Sequence, residues 1–367
     1  MNATLRKLKV VGAAGLAALC VFGSAPGVTL AKTYPEAAQK ALEWTRTQQQ
    51  GDGSFAGFGV GSTVDAVLAF LAAGQDPSAL TQGGSTPITF LESHVGDLAK
   101  TPGSAGKMLV AAARLTQAGG QYIGAKQLTQ AVSLSYDPGT GHYGKDAIGH
   151  AFAVLGVAAT GQVPSDAAKY LKAIQTRDGG WAFTGDTAAG AADTNTTAVA
   201  VQALIAAGEP ETSPVIQRAL AYLATQQNPD GGYPYQKGGE FGSESDVNSS
   251  AYVMQALIAA SSDTQKVGDY LLSMQKPNGA FQWKKSEPDD NAGATYQAIP
   301  ALLGVTLVDT MSINGGGSPA DQGGQPVGMP RTGQSDPLFW ILEFGSWMSG
   351  CLAIGTGLAL RRRASAR

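Results

Sequence analysis

The sequence predicts an all-α fold, an α/α toroid of about six helix pairs with inner helices around an axis and outer helices toward water. Two observations carry this. A short string of Gln, three residues, Gly, one residue and an aromatic recurs at intervals of roughly 40 to 50 residues. Between successive copies, a helix with one apolar face alternates with one that is apolar or small nearly all round, which is the pattern of an outer and an inner layer. An open superhelix is the alternative arrangement of the same units.

In chain order, residues 1–31 read as an export signal: Arg6, Lys7 and Lys9 precede an apolar run from Val10 to about Ala25, and Thr29-Leu30-Ala31 offers small residues for cleavage. Residues 32–310 hold the repeats. The string stands at Gln49 to Phe55, Gln175 to Trp181, Gln227 to Tyr233 and Gln275 to Phe281, with a weaker copy from Tyr136 to Tyr143 and a degenerate unit around Ile88 to Gly120. Outer-layer helices precede the strings: Ala167, Tyr170, Leu171 and Ile174 fall at helical spacing, as do Ile216, Ala219, Leu220 and Leu223. The Asp-Gly or Asn-Gly pair then ends each helix, and the aromatic folds back over the exposed end. Inner helices are expected over Val67–Ala73, Lys107–Leu115, Ala153–Ala159, Thr196–Ala207, Ser249–Ala260 and Thr295–Leu303, the last bent or shortened at Pro300.

Residues 311–328 form a Gly- and Pro-rich linker, and residues 329–367 end the chain with an apolar stretch from Leu338 to Leu360 followed by Arg361, Arg362 and Arg363. That stretch is long enough to cross a bilayer, and its basic flank orients it inward, so the body is expected on the extracytoplasmic side. Just upstream, Met329-Pro330-Arg331-Thr332-Gly333 resembles a sortase sorting signal with Met in the place of Leu. The resemblance implies cleavage between Thr332 and Gly333 and attachment to the cell envelope; a plain stop-transfer helix is the alternative.

Both cysteines, Cys20 and Cys351, lie in the apolar end segments, so no disulfide or thiolate is expected in the body. A net charge of -3 with 14% charged residues argues against a nucleic-acid partner. His94, His142 and His150 stand on separate repeats and are expected at surface or turn positions, so no metal and no cofactor is expected.

The string at Gln175, Gly179 and Trp181 resembles the repeat of squalene and oxidosqualene cyclases, which protein prenyltransferases share loosely. The resemblance spans about 280 residues and supports the toroid more strongly than any activity. Class II cyclases of that kind protonate an alkene with the middle acid of Asp-x-Asp-Asp-Thr-Ala. Here the matching strings read Asp193-Thr194-Asn195-Thr196-Thr197-Ala198 and Asp246-Val247-Asn248-Ser249-Ser250-Ala251, with an amide in the donor position of each. The zinc ligands that prenyltransferases use have no cysteine counterpart either.

Asp193 and Asp246 stand where helix caps are expected, and with Asn195, Asn248 and Asp290 they are also candidates for a polar binding rim at one mouth of the toroid. Two carboxylates remain as catalytic candidates. Aligning Gln297 on Gln202 brings Asp290 to the place of Asn195, and aligning Gly74 on Gly208 puts Asp65 inside an inner helix, where it either faces the axis and binds something or pairs with a cation. The function expected is therefore a surface-anchored module that binds a small apolar molecule, a glycan or another surface protein. The alternative is an enzyme acting on a terpenoid or a polysaccharide.

Overall fold

The computed structural model describes residues 32–309, so the expected signal, linker, sorting motif and apolar tail lie outside the described residues. Among those described, no helix is long and apolar enough to cross a membrane.

Six helices form the inner layer: α2 (Gly59–Ala72), α5 (Pro102–Gln117), α7 (Ala147–Thr160), α9 (Thr194–Ala206), α11 (Val247–Ala259) and α13 (Ala292–Leu302). Each packs on the next, and α13 packs on α2, so the ring closes. Alanines and small residues buried along these helices let their backbones approach closely. The outer layer is α1 (Pro35–Arg46), α3 and α4 (Pro87–Ser93 and Val95–Leu98), α6 (Ala125–Leu134), α8 (Ser165–Ala173), α10 (Pro214–Gln226) and α12 (Gln265–Ser273). The degenerate unit thus has a split outer helix. Pro300 lies inside α13 without ending it. Two short antiparallel hairpins depart from the all-helical expectation: β1 (Tyr136–Asp137) with β2 (His142–Tyr143), and β3 (Phe281–Lys284) with β4 (Glu287–Asn291).

The repeated string works as a lock between neighbouring repeats. Gln175 Nε2 donates to the Gly179 carbonyl of its own turn at 2.7 Å and to the Val215 carbonyl in the first turn of α10 at 2.9 Å. Gln275 does the same with Gly279 and with Ala37 of α1, at 3.1 and 2.8 Å, which stitches the last repeat to the first. At Gly179 φ is +98°, and a Cβ would lie 2.6 Å from the Arg218 carbonyl, so the close approach of the next outer helix requires glycine. The aromatic then enters the core: Trp181 is fully buried and its indole N–H donates to the Leu171 carbonyl at 2.7 Å.

A second link fixes the register of the inner layer. The backbone N–H of each aromatic donates to a side chain in the first turns of the following inner helix: Phe55 to Thr63, Trp181 to Thr197, Tyr233 to Ser250 and Phe281 to Thr295, all at 2.9–3.0 Å. In the weaker copy Tyr143 donates to His150 Nδ1 at 3.0 Å. His150 therefore stands where the other repeats carry a hydroxyl. It is fully buried, its Nε2 meets the Ala167 carbonyl at 3.1 Å, and His142 lies beside it with ring centroids 5.2 Å apart. The surface or turn position expected for His150 is corrected on this point, because the imidazole replaces a core hydroxyl.

Candidate functional site

All six inner helices present their N-terminal turns to the same end of the ring, where they enclose a cavity of about 330 Å³. The other end is crossed by the chain after α13: the Leu307 N–H donates to Gln202 Oε1 of α9 at 2.9 Å, and the Arg114 guanidinium of α5 donates to the Thr306 carbonyl. Among the described residues, the axis is thus open at the N-terminal mouth and crossed at the other end.

The N-caps explain how the mouth is built. Asp146, Asp193, Asp246 and Asn291 cap α7, α9, α11 and α13 through backbone N–H groups three residues on, and Thr101 caps α5 in the same way. The repeat aromatics hold the caps in place: Asp193 N–H donates to the Trp181 carbonyl at 3.0 Å and Asp246 N–H to the Tyr233 carbonyl at 2.9 Å. Burial pushes the carboxyls of Asp193 and Asp246 up to about 6, against the hydrogen bonds from Thr196 and Ser249. Tyr235 reaches Asp193 and Trp283 reaches Asp246, so a residue two places beyond the aromatic of one repeat covers the cap of the previous one.

Counting on from each cap gives two layers around the axis. Near the rim, the second helical position holds Gly103, Ile148, Asn195, Asn248 and Gly293, and all of these line the cavity. One turn deeper, six residues beyond each cap, stand Lys107, Phe152, Val199, Tyr252 and Gln297. Asp65 of α2 joins them by the register of Thr63. These residues close the floor through a chain of polar contacts. Asn248 Nδ2 donates to Gln297 Oε1 at 2.8 Å, Gln297 Nε2 donates to Asp65 Oδ2 at 3.0 Å, and Asp65 Oδ1 pairs with Lys107 Nζ at 2.5 Å. Lys107 donates in turn to the Tyr252 hydroxyl at 3.1 Å. Its ammonium lies 5.5 Å from the Phe152 ring centroid and 5.8 Å from that of Tyr252. Burial disfavours the charge on Lys107, but Asp65 and Tyr252 outweigh that cost and raise its pKa. Of the two alternatives for Asp65, the structure shows the cation partner, while the carboxylate also faces the cavity.

Asp290 is placed differently from the expectation. It lies on β4, one residue before the cap Asn291, and Gly293 occupies the position of Asn195 and Asn248. Counting back from Gln297 misplaces Asp290 because Gln297 is not the counterpart of Gln202: it stands six residues beyond its cap, level with Val199 and Tyr252, whereas Gln202 stands nine beyond. Asp290 Oδ1 pairs with Lys276 at 2.5 Å and Oδ2 accepts from Asn278 at 2.7 Å; Lys276 holds its carboxyl below the usual range. Of the polar-rim candidates, Asn195, Asp246, Asn248 and Asp290 line the cavity. Asp193 is buried in its cap and is not among the lining residues.

Sequence reasoning missed Lys107, Gln297 and Lys284, together with the rings that loops bring to the mouth. Phe183, Tyr235 and Trp283 line the cavity, each two residues beyond a repeat aromatic, and that offset is a signal the sequence carries. Of the aromatic residues expected on inner helices, Phe152 and Tyr252 face the cavity. Phe70 and Tyr296 instead pack on Phe55 away from it, at 5.7 and 6.0 Å between centroids. No group of three or more potential metal ligands occurs among the described residues.

A closed double ring of helices with one cavity at the inner N-termini defines the class: an α/α toroid with the fold of the squalene-hopene and type II terpene cyclases. Residues 131–294, from α6 to the start of α13, match the squalene-hopene cyclase C-terminal domain family. The type II terpene cyclase MstE from Scytonema, in its apo form, is similar at 15% identity and a TM-score of 0.53, with 73% of this chain and 96% of that chain covered. A variant of the same enzyme in complex with geranylgeranyl dihydroxybenzoate as substrate is similar at 15% identity and 0.53, with 75% and 97% covered. A protein from Actinoplanes is similar at 15% identity and 0.52, with 76% and 99% covered. No curated protein matches the sequence.

Proposed function

We propose that the toroid is a binding module which holds a small, largely apolar molecule in the mouth of the ring and leaves it chemically unchanged. The observation that carries this reading is Lys107. Its ammonium sits against the π faces of Phe152 and Tyr252, the groups that would otherwise stabilise a carbocation in the floor, and its counterion is the one floor carboxylate. Protonating an alkene also needs a free carboxylic acid, and the rim positions hold Asn195, Asn248 and Gly293. The walls suit an apolar body, with Phe58, Ile148, Phe152, Phe183 and Trp283 around a volume at the lower end of the small-molecule range. The geranylgeranyl substrate of the similar cyclase is a molecule of the same general character.

For the location, the order of signal, linker, Met329-Pro330-Arg331-Thr332-Gly333, apolar segment and arginines supports a cell-surface module handled by a sortase or anchored in the membrane. Peptide mapping of envelope digests tests this, and recovery of peptides intact across Thr332-Gly333 in most molecules would count against sorting.

One observation favours an enzyme instead. Asp246 lines the cavity with a carboxyl near 6, within reach of acid–base work in mildly acidic conditions. The binding reading is tested by titrating the full chain with farnesol, a neutral isoprenoid alcohol, in the wild type and in Gly293→Leu. A side chain at Gly293 meets its nearest neighbours only at 3.6 and 3.7 Å and so enters the cavity. Saturable binding lost in the variant is expected; binding that is undiminished there would refute the cavity as the site.

A further inference from the structure

Two lysines, Lys107 in the floor and Lys284 at the mouth, line the cavity, and a third, Lys276, pairs with the lining residue Asp290. Lys107 and Lys276 each pair with a carboxylate at 2.5 Å, Asp65 and Asp290 respectively. Lys284, at the end of β3, lines the same cavity and is only 8% exposed, yet no carboxylate among the described residues lies within 4.0 Å of its Nζ. Its one hydrogen bond is long, 3.4 Å to the Phe241 carbonyl, and the ammonium rests 4.0 Å from the Trp283 ring centroid. Asp246 is the acid it acts on electrostatically, but the Asp246 oxygens are already taken by the backbone N–H and hydroxyl of Ser249, at 2.7 and 2.8 Å, and by the Trp283 side chain. A buried ammonium with two donors to spare is costly unless something supplies the missing negative charge.

We propose that the molecule held in the cavity carries an anionic head group, a carboxylate or a phosphate, which accepts from Lys284 Nζ while its apolar body lies against Phe183, Tyr235 and Trp283. The inference rests on the cavity reading above and adds to it the chemical class of the ligand. It also gives the two ends of the cavity different tasks. The floor is internally neutralised and receives the apolar end, and the β3 side of the mouth fixes the charged end.

The test compares farnesol with farnesoate, which has the same hydrocarbon chain ending in a carboxylate, and with farnesyl phosphate, by titration of the full chain. A charge-assisted hydrogen bond corresponds to about a tenfold to a hundredfold gain in affinity. Farnesoate or farnesyl phosphate is therefore expected to bind at least about tenfold more tightly than farnesol, and Lys284→Met is expected to erase that preference while Lys284→Arg retains it. The tighter of the two anions identifies the head group. If farnesol binds and neither anion binds more tightly, the anionic class is wrong and the cavity reading stands. If neither the alcohol nor the anions bind, both fall. If Lys284→Met weakens alcohol and anions by the same factor, Lys284 acts only through packing on Trp283 and the inference is overturned.

Discussion

Lys107→Met is the most informative perturbation of the floor. The Lys107 and Asp65 side chains are 2% and 9% exposed, and the ion pair between them is the strongest link in the chain that joins α2, α5, α11 and α13. Methionine keeps most of the lysine stem, so packing on Phe152 changes little, while Asp65 is left as a buried carboxylate with only the Gln297 amide to meet it. Removing one partner of a buried pair costs about 3–5 kcal/mol. The double variant Asp65→Asn, Lys107→Met removes both charges and leaves a neutral amide beside Gln297, so it is expected within about 2 kcal/mol of the wild type. Urea denaturation followed by far-UV circular dichroism reads both values, provided the slope of the transition is unchanged. A single variant costing under about 1 kcal/mol, or a double variant costing the sum of its parts, would refute the floor as an interdependent ion pair.

Two glycines test the packing with opposite signs. Gly293→Ala adds a methyl within α13, in ordinary van der Waals contact with Asn291 and Asn248, and is expected to stabilise by up to about 1 kcal/mol. Gly106→Ala places a Cβ 2.2 Å from the Phe152 carbonyl, where α5 and α7 touch backbone to backbone, and is expected to destabilise by about 1–3 kcal/mol; thermal melts of the two variants check both signs. His150→Thr, which restores the hydroxyl of the other repeats, tests the pH dependence. Burial lowers the His150 pKa to about 3 from 6.5, so the unfolded chain takes up a proton that the folded chain refuses. The stability this group contributes is therefore fully present above 6.5 and is lost as pH falls toward 3, at up to roughly 1 kcal/mol per pH unit. Asp193 and Asp246, raised to about 6, act in the opposite sense, because the folded protein gains stability as they protonate below pH 6. Denaturation between pH 6.5 and 4 is expected to show His150→Thr gaining on the wild type with each step down; parallel curves would contradict the burial argument.

The toroid was legible because its cause is local and repeated. The Gln-to-aromatic string sets each turn, and composition alone separates Thr194–Ala206, buried nearly all round, from Pro214–Gln226, with one wet face. The site was legible only where it coincides with that repeat. Asn195, Asp246 and Asn248 follow the aromatic turns, and they line the cavity. Lys107 and Gln297 contribute through the ring's closure, which brings α5 beside α2 and α13 beside α2, and no local pattern encodes a partner 232 residues away such as Asp65 for Gln297. Asp290 is misplaced because a glutamine on the last inner helix is paired with Gln202 by residue type, although Gln297 faces the axis six residues beyond its cap and Gln202 lies nine beyond, so the count back runs three residues too far. Lys284 lies between the repeat aromatic Phe281 and α13, and its burial depends on Trp283 and on the Phe241 loop of the preceding repeat.

The central claim, binding without cyclisation, is tested most directly by prolonged incubation of the full chain with squalene and with farnesol, followed by gas chromatography with mass spectrometry of everything recovered, which separates a cyclised isomer from its open-chain parent. The account predicts that each compound returns unchanged from the wild type, because Lys107 occupies the floor and amides or glycine stand in the donor positions. A cyclised or hydrated product that disappears in Asp246→Asn or Asp290→Asn would contradict it and identify the protein as an acid-dependent enzyme.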